Sequence, residues 1–101
     1  MPTAFDVIAE PKRRQILDLL REGEMPVGDL VARLGLSQPA VSKHLRILRE
    51  AGFVTPRVAA QQRQYRLNPK AFEEVDAWIA HFRPFWTKTL DDLAAHLDKE
   101  D

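Results

Sequence analysis

The sequence predicts a mainly α-helical fold, with five or six helices and one two-stranded β-hairpin in a single domain spanning residues 1–101. Apolar residues recur at helical spacing through most of the chain. The spacing changes to a strand-like pattern only at residues 53–58 and 63–67, which predicts the hairpin. A chain of 101 residues can bury one adequate core, so a second domain is not expected.

The first two helices are predicted from their starting residues. Thr3 followed by Asp6 is typical of a capping box. Pro11 suits the first position of a second helix, because its missing N–H has no helical partner there. The apolar face of this helix consists of Ile16, Leu19 and Leu20. Gly23 then predicts its end.

Two further helices are predicted on either side of a short turn. Val27–Leu34 forms the third helix, and Gly35 is its expected C-terminal cap. Ser37 is a suitable N-cap for the fourth helix, and Pro39 is tolerated in the first turn. The inward stripe of the fourth helix consists of Val41, Leu45 and Leu48. Gly52 predicts its end.

A β-hairpin is predicted at about residues 53–67, with its turn at residues 59–62. The turn sequence Ala-Ala-Gln-Gln lacks the Gly or Asn that tight hairpin turns favour. Asn68 and Pro69 then form a typical helix start, so residues 69–98 are predicted to form one or two C-terminal helices.

The C-terminal segment carries an apolar stripe with nearly coiled-coil spacing. The stripe consists of Phe72, Val75, Ile79, Phe82, Trp86, Leu90, Leu93 and Leu97. Its first three members can be explained by packing within the domain. Beyond Phe82 a small domain has little surface left to cover the stripe, which predicts a partner, most simply a second copy related by two-fold symmetry. Pro84 predicts a kink or a break near Arg83.

The net charge of zero conceals an uneven distribution. Residues 37–66 contain six basic side chains against Glu50 alone, a net charge of +5, whereas residues 71–101 contain eight acidic and three basic side chains, a net charge of −5. The six basic residues are Lys43, Arg46, Arg49, Arg57, Arg63 and Arg66. Exposed charges interact over about one Debye length, roughly 8–10 Å. The basic middle and the acidic end can therefore serve different partners.

The order helix, Gly-Leu-Ser turn, helix and hairpin is that of a winged helix-turn-helix. With its apolar stripe turned inward, the fourth helix exposes Gln38, Ala40, Ser42, Lys43 and Arg46. Gln can recognise adenine, Lys and Arg can recognise guanine, and Ala can contact a thymine methyl group. Ser, Lys and Arg can instead hold phosphates. Basic residues on one helix could also form an ordinary solvated face, but the turn and the wing favour DNA binding.

Residues 36–54 resemble the recognition segment of ArsR/SmtB-type (arsenic-repressor-like) winged-helix regulators. Arg57 and residues 65–67 match the wing strands of that family, and residues 10–14 resemble the segment that opens its second helix. The resemblance covers about residues 4–68. It implies a homodimeric, sequence-specific DNA-binding protein, usually a repressor that often acts on its own operon. Two symmetry-related copies would read an inverted-repeat operator.

The predicted contacts divide between DNA and a second copy. The predicted DNA-binding residues are Ser37, Gln38, Pro39, Ala40, Ser42, Lys43, Arg46, Arg57, Gln61 and Arg63. The predicted dimer contacts, on the terminal helices, are Phe5, Phe82, Phe85, Trp86, Leu90, Leu93 and Leu97. The wing tip departs from the family pattern, because Ala59-Ala60-Gln61 replaces the usual acidic-Gly-Arg and leaves Arg63 as the nearest arginine.

The metal sites of the family do not carry over to this sequence. The chain has no Cys, and Pro26 and Gly28 stand where metal-sensing members have ligands in the third helix. Ile79 stands two positions before His81, where the family's second site has Asp. We therefore predict the branch that lacks a metal site, with no cofactor. A small-molecule effector stays open as an alternative.

Other function classes are less well supported. The sequence contains neither a Ser-His-acid set nor a glycine-rich phosphate loop, so no motif indicates an enzyme. The longest apolar run is four residues, and the N-terminus lacks a signal-peptide pattern, so a cytoplasmic protein is expected. Two alternatives remain. One is a winged-helix module that binds protein instead of DNA, and the other is a ligand- or metal-gated sensor whose site the sequence does not reveal. Activation in place of repression also stays open.

Overall fold

The computed structural model describes residues 2–99, and over this range it contains six helices and three strands. In chain order they are α1 (Ala4–Ile8), α2 (Pro11–Leu20), β1 (Met25–Pro26), α3 (Val27–Leu34), α4 (Gln38–Ala51), β2 (Val54–Ala59), β3 (Gln62–Leu67), α5 (Pro69–Ala80) and α6 (Arg83–Lys99). The predicted mainly α-helical winged helix-turn-helix fold is confirmed. No helix within residues 2–99 is both long and apolar enough to cross a lipid bilayer.

The N-terminal helices begin where their capping residues predict. The Thr3 hydroxyl accepts the N–H of Asp6 at 3.1 Å, and the Asp6 carboxylate accepts the N–H of Thr3 at 3.0 Å, which completes the capping box. Pro11 is the first residue of α2, and the carboxylate of Glu10 accepts the Lys12 N–H at 3.1 Å. α2 ends at Leu20, slightly before the predicted Gly23.

The helix-turn-helix is held by caps on α3 and α4. Gly35 closes α3 in the left-handed conformation, with φ of 67°. The Ser37 hydroxyl accepts the Ala40 N–H at 3.2 Å and starts α4. Gly52 closes α4 with φ of 90°, and the following N–H of Phe53 donates to the Leu48 carbonyl at 2.9 Å. The first and last residues of α4 are thus determined by capping residues at its own ends.

The wing is an antiparallel hairpin that belongs to a three-stranded sheet. β2 pairs with β3 from Val54 opposite Leu67 to Ala59 opposite Gln62. β1 pairs with the other edge of β3, with Met25 opposite Tyr65, so the strand order is β1-β3-β2. The two strands of the hairpin were predicted, but the third strand, β1, was not. A two-residue strand shows no alternation of its own, and it is recognisable only once its partner β3 is known.

The two-residue hairpin turn requires positive φ at residues that do not favour it. Ala60 has φ of 50° and Gln61 has φ of 67°, as in a type I′ turn. We expect Ala60→Gly to raise the free energy of unfolding by up to about 1 kcal/mol, because glycine adopts positive φ without a steric penalty. Ala59→Gly is the matched control in extended backbone, and it should lower stability by roughly 0.5–1 kcal/mol. Urea unfolding measures both changes. If the free energy of unfolding changed in the same direction in both variants, the hairpin turn would not be strained at Ala60.

The core lies between α4, the sheet and the two N-terminal helices. Its fully buried side chains are Phe53, Ile16, Leu30, Leu45, Leu48, Val7, Val41 and Val54. The inward stripe predicted for α4 is confirmed, since all three of its members are buried. Phe72 of α5 packs edge-to-face on Phe53, with ring centroids 5.0 Å apart, yet remains 36% exposed. Its predicted role in the core is therefore only partly fulfilled.

The C-terminal segment is split into two helices. Asn68 caps α5 through the Lys70 N–H at 3.0 Å, as predicted. α5 ends at Ala80 and α6 begins at Arg83, so Pro84 occupies the first turn of α6, where it displaces no helical hydrogen bond. Every residue of α6 whose side chain is described is exposed. The molecule is correspondingly elongated, with extents of 60 × 31 × 22 Å.

Candidate nucleic-acid interface

One face of α4 lines an open cleft of about 560 Å³. Its α4 residues are Gln38, Ser42, Arg46 and Arg49, spaced four, four and three positions apart. Such spacing places all four side chains on the same side of a helix. Pro26 of β1, the start of α3 and strand β3 form the rest of the cleft, and the β3 residues include Arg63 and Tyr65.

The cleft brings together part of the predicted DNA-binding set. Gln38, Ser42 and Arg46 of α4 lie across from Arg63 of the wing. Arg49 and Gln62 also line it and were not among the predicted residues. Arg49 could have been predicted from sequence, because its helical spacing from Gln38 and Arg46 places it on the same side of α4.

The remaining predicted residues of α4 and the wing turn lie outside this cleft. Ser37, Pro39, Lys43 and Gln61 are exposed, whereas Ala40 is half-buried and less accessible than predicted. The Ser37 oxygen accepts the N–H of Ala40, so its hydroxyl proton remains available to donate to an anion. Arg57 differs from all of these, because its guanidinium is bound by the carboxylate of Glu24 through bonds of 2.7 and 2.6 Å.

Arginines at the start of α2 connect three helices, a role that the sequence did not reveal. Arg13 Nε donates to the Val7 carbonyl at 2.7 Å, and Arg14 donates to the Ile8 carbonyl at 2.6 Å. These bonds satisfy carbonyls that the short α1 leaves without helical partners. The Arg13 guanidinium also lies 3.5 Å from Nδ1 of His44 on α4. Hydrogen bonds therefore join α2 to α1, and the Arg13–His44 contact joins α2 to α4.

The surroundings of His44 predict that stability depends on pH. Its partial burial and the nearby Arg13 guanidinium lower the pKa of His44 below its ordinary value of 6.5. A base whose pKa is lowered by folding contributes stability that is fully present above its unfolded pKa and is lost as the pH falls through its folded pKa. We expect the melting temperature of the wild type to fall between pH 7.5 and 5.5, and His44→Gln to reduce that dependence. If the melting temperatures of the wild type and His44→Gln depended on pH to the same extent, His44 would not be the source of the pH dependence.

An apolar face runs from α1 through the end of α5 and along α6. Its exposed members are Phe5, Trp78, Phe82, Phe85, Trp86, Leu90, Leu93 and Leu97. Trp78 contacts Phe5 with ring centroids 5.3 Å apart and Phe82 with centroids 4.9 Å apart. Phe85 is 74% exposed and Trp86 is 39% exposed. Trp78 was absent from the predicted set because it lies outside the stripe, although a Trp within an apolar run was a usable signal.

The sequence contains no Cys. Within residues 2–99, no three His, Asp or Glu side chains lie close enough together to hold a metal ion.

Comparison with known proteins gives concordant results. The family described as "Bacterial regulatory protein, arsR family" matches residues 10–55. The transcriptional repressor SdpR of Bacillus subtilis is 35% identical over 82 residues, which cover 81% of this chain and 91% of that protein. The HTH-type transcriptional regulator Rv2034 of Mycobacterium tuberculosis is 35% identical over 97 residues, covering 96% of this chain and 88% of that protein. The crystal structure of a possible transcriptional regulator for arsenical resistance superposes with a TM-score of 0.73 at 42% identity, covering 95% of this chain and 97% of that one.

Proposed function

Since the chain belongs to the arsR family of bacterial regulatory proteins, we propose that it acts as a homodimeric repressor on an inverted-repeat operator upstream of its own gene. Family membership makes it a DNA-binding transcription regulator and not an enzyme. The observation that carries the proposal further is the alignment of Gln38, Ser42, Arg46 and Arg49 along one exposed face of α4, opposite Arg63 of the wing. Such a regulator works in the cytoplasm, where the DNA is.

In this proposal α4 enters the major groove with its N-terminal half against the bases. An α-helix fits that groove, and residues near its start reach base edges in helix-turn-helix proteins. Gln38 is suited to hydrogen-bond adenine bidentately, and Ala40 to contact a thymine methyl group. Ser37, Pro39 and Ser42 flank these positions. Arg46 is placed further along the helix, where it would hold a phosphate.

The basic side chains would supply most of the affinity. Lys43, Arg46 and Arg49 are exposed on α4, and Arg63 faces the two arginines across the cleft. Each phosphate that such a cation neutralises releases condensed counterions, so binding is strong at low salt and independent of sequence. Gln61 at the wing tip would lie near the adjacent sugar-phosphate backbone.

The homodimer is supported by the uncovered apolar face on α1, α5 and α6. An exposed face that contains two Trp and three Phe side chains is unusual for a soluble monomer and marks an interaction site. We propose that Phe5, Phe82, Phe85, Trp86, Leu90, Leu93 and Leu97 bury one another in a two-fold interface, with Trp78 as an added member. Two-fold symmetry would place the two α4 helices in successive major grooves, roughly 34–36 Å apart.

A footprint of the protein's own upstream DNA tests this proposal. We expect two protected half-sites related by inverted symmetry and separated centre to centre by about 10 base pairs or a multiple of that distance. Transcription of a reporter fused to the same DNA should rise when the gene is deleted. An unprotected duplex, together with a protein captured by the exposed face of α4, would instead favour the protein-binding alternative. A fall in reporter transcription on deletion would make the protein an activator.

A further inference from the structure

The wing sheet has two faces, and Arg57 and Arg63 lie on different ones. Successive side chains of a strand point to opposite faces, and residues directly paired across strands share a face. Arg57 pairs with Gln64, whereas Arg63 lies on the same face as Tyr65, which is buried. Arg57 therefore projects from the face of the sheet opposite to Tyr65, which is the outer face, and it is not among the residues that line the cleft.

On that outer face Arg57 is held by Glu24. Its Nε donates to one carboxylate oxygen at 2.7 Å, and a terminal nitrogen donates to the other at 2.6 Å. This is the bidentate geometry that gives Arg–carboxylate pairs their strength and orientation. The Glu24 side chain is 23% exposed, so water competes for it only partly. The hydrogen bond to Arg57 lowers the pKa of Glu24, and the carboxylate is charged at neutral pH.

The pair spans the full width of the sheet. Glu24 immediately precedes β1, Arg57 lies within β2, and β3 separates the two strands. β1 leads without a break into α3, the first helix of the helix-turn-helix. The ion pair thus joins the far strand of the wing to the segment that leads into α3, an arrangement that would limit how the hairpin tilts relative to α4.

We infer that Arg57 is a wing-positioning residue that Glu24 holds in place, and not a ligand for DNA phosphate. The inference rests on the proposed function, because the wing's orientation matters only if the wing meets DNA. It also reduces the number of cations that neutralise phosphate, because Arg66 shares the outer face with Arg57 through its pairing with Thr55. The remaining cations are Lys43, Arg46, Arg49 and Arg63. Four contacts per protomer and eight per dimer correspond to a log–log salt slope of about −7.

The charge-neutral double variant Glu24→Gln/Arg57→Gln tests this inference, with Arg63→Gln as the matched control. Operator and scrambled duplexes are titrated at several salt concentrations, and circular dichroism verifies that each variant folds. The double variant should keep the wild-type salt slope but lose operator affinity by up to about fivefold, since an exposed ion pair contributes modestly and here sets a geometry. Arg63→Gln should reduce the magnitude of the slope by about 1.8, one contact from each protomer.

Two results would overturn the inference. A double variant whose slope falls as much as that of Arg63→Gln would make Arg57 a phosphate ligand. A double variant with both wild-type slope and wild-type operator affinity would show that the pair does not position the wing. Failure of the proposed function looks different, because wild type and Arg63→Gln would then both show no salt-dependent binding to either duplex.

Discussion

Trp86→Asp is expected to convert the proposed homodimer into a monomer and to weaken operator binding by about two to four orders of magnitude. Trp86 is 39% exposed within the apolar face of α6, and its neighbours Phe82 and Leu90 on that face are also uncovered. Burying an unpaired carboxylate in such an interface costs several kcal/mol, enough to prevent association. A monomer can occupy only one half-site, so it loses the gain from two linked contacts. Sedimentation velocity and fluorescence anisotropy measure the two effects.

Ala95→Asp is the matched control on the opposite side of the same helix. Ala95 follows Trp86 by nine residues, which is two and a half helical turns. The new carboxylate therefore stays in water and should leave both the dimer and its DNA affinity near their wild-type values. If Trp86→Asp sedimented as a dimer, or if both variants were equally monomeric, the face of α6 that contains Trp86 would not be the interface.

Gln38→Ala and Arg46→Ala are expected to impair DNA binding in different ways. Gln38 lies in the first turn of α4, where it can read a base, so its loss should remove about 1–3 kcal/mol of discrimination at one position in each half-site. Arg46 lies two turns further along the cleft wall. Its loss should weaken binding to every duplex and reduce the magnitude of the salt slope by about 1 per protomer.

A panel of operators with single base substitutions distinguishes these two roles. Arg21→Ala serves as the control for Arg46→Ala, because it removes the same charge from an exposed position on α2 outside the cleft. Arg21→Ala should change neither affinity nor slope appreciably. If Gln38→Ala lowered affinity for all operators equally, with discrimination preserved at every position, its assignment as a base-reading residue would be wrong.

The helices could be predicted from sequence because their boundaries are local. Thr3, Ser37 and Asn68 each cap a helix through a backbone N–H only two or three residues away. Gly35 and Gly52 end helices through their own backbone conformation. The inward stripe of α4 follows from helical spacing alone. Nothing distant in the chain is needed to recognise any of these features.

Apart from Arg49 and Trp78, the features that sequence reasoning missed are those that join distant segments. β1 exists only through its pairing with β3, some forty residues later, and the Glu24–Arg57 pair crosses the same sheet. The contact between Arg13 and His44 likewise depends on how α2 packs against α4. Arg57 shows the consequence most clearly. Its charge and position suggested a DNA contact, whereas the strand register places it on the sheet face opposite to Tyr65, where Glu24 binds its guanidinium.

Salt-dependent fluorescence anisotropy of the wild-type protein is the direct test of DNA binding through α4. The titration uses the protein's own upstream DNA and a scrambled duplex of the same composition. We expect tight binding to the upstream duplex alone, with a log–log salt slope of about −5 to −7, which corresponds to six to eight phosphate contacts per dimer. If the protein bound neither duplex at low salt, the basic face of α4 would not be a DNA-binding surface.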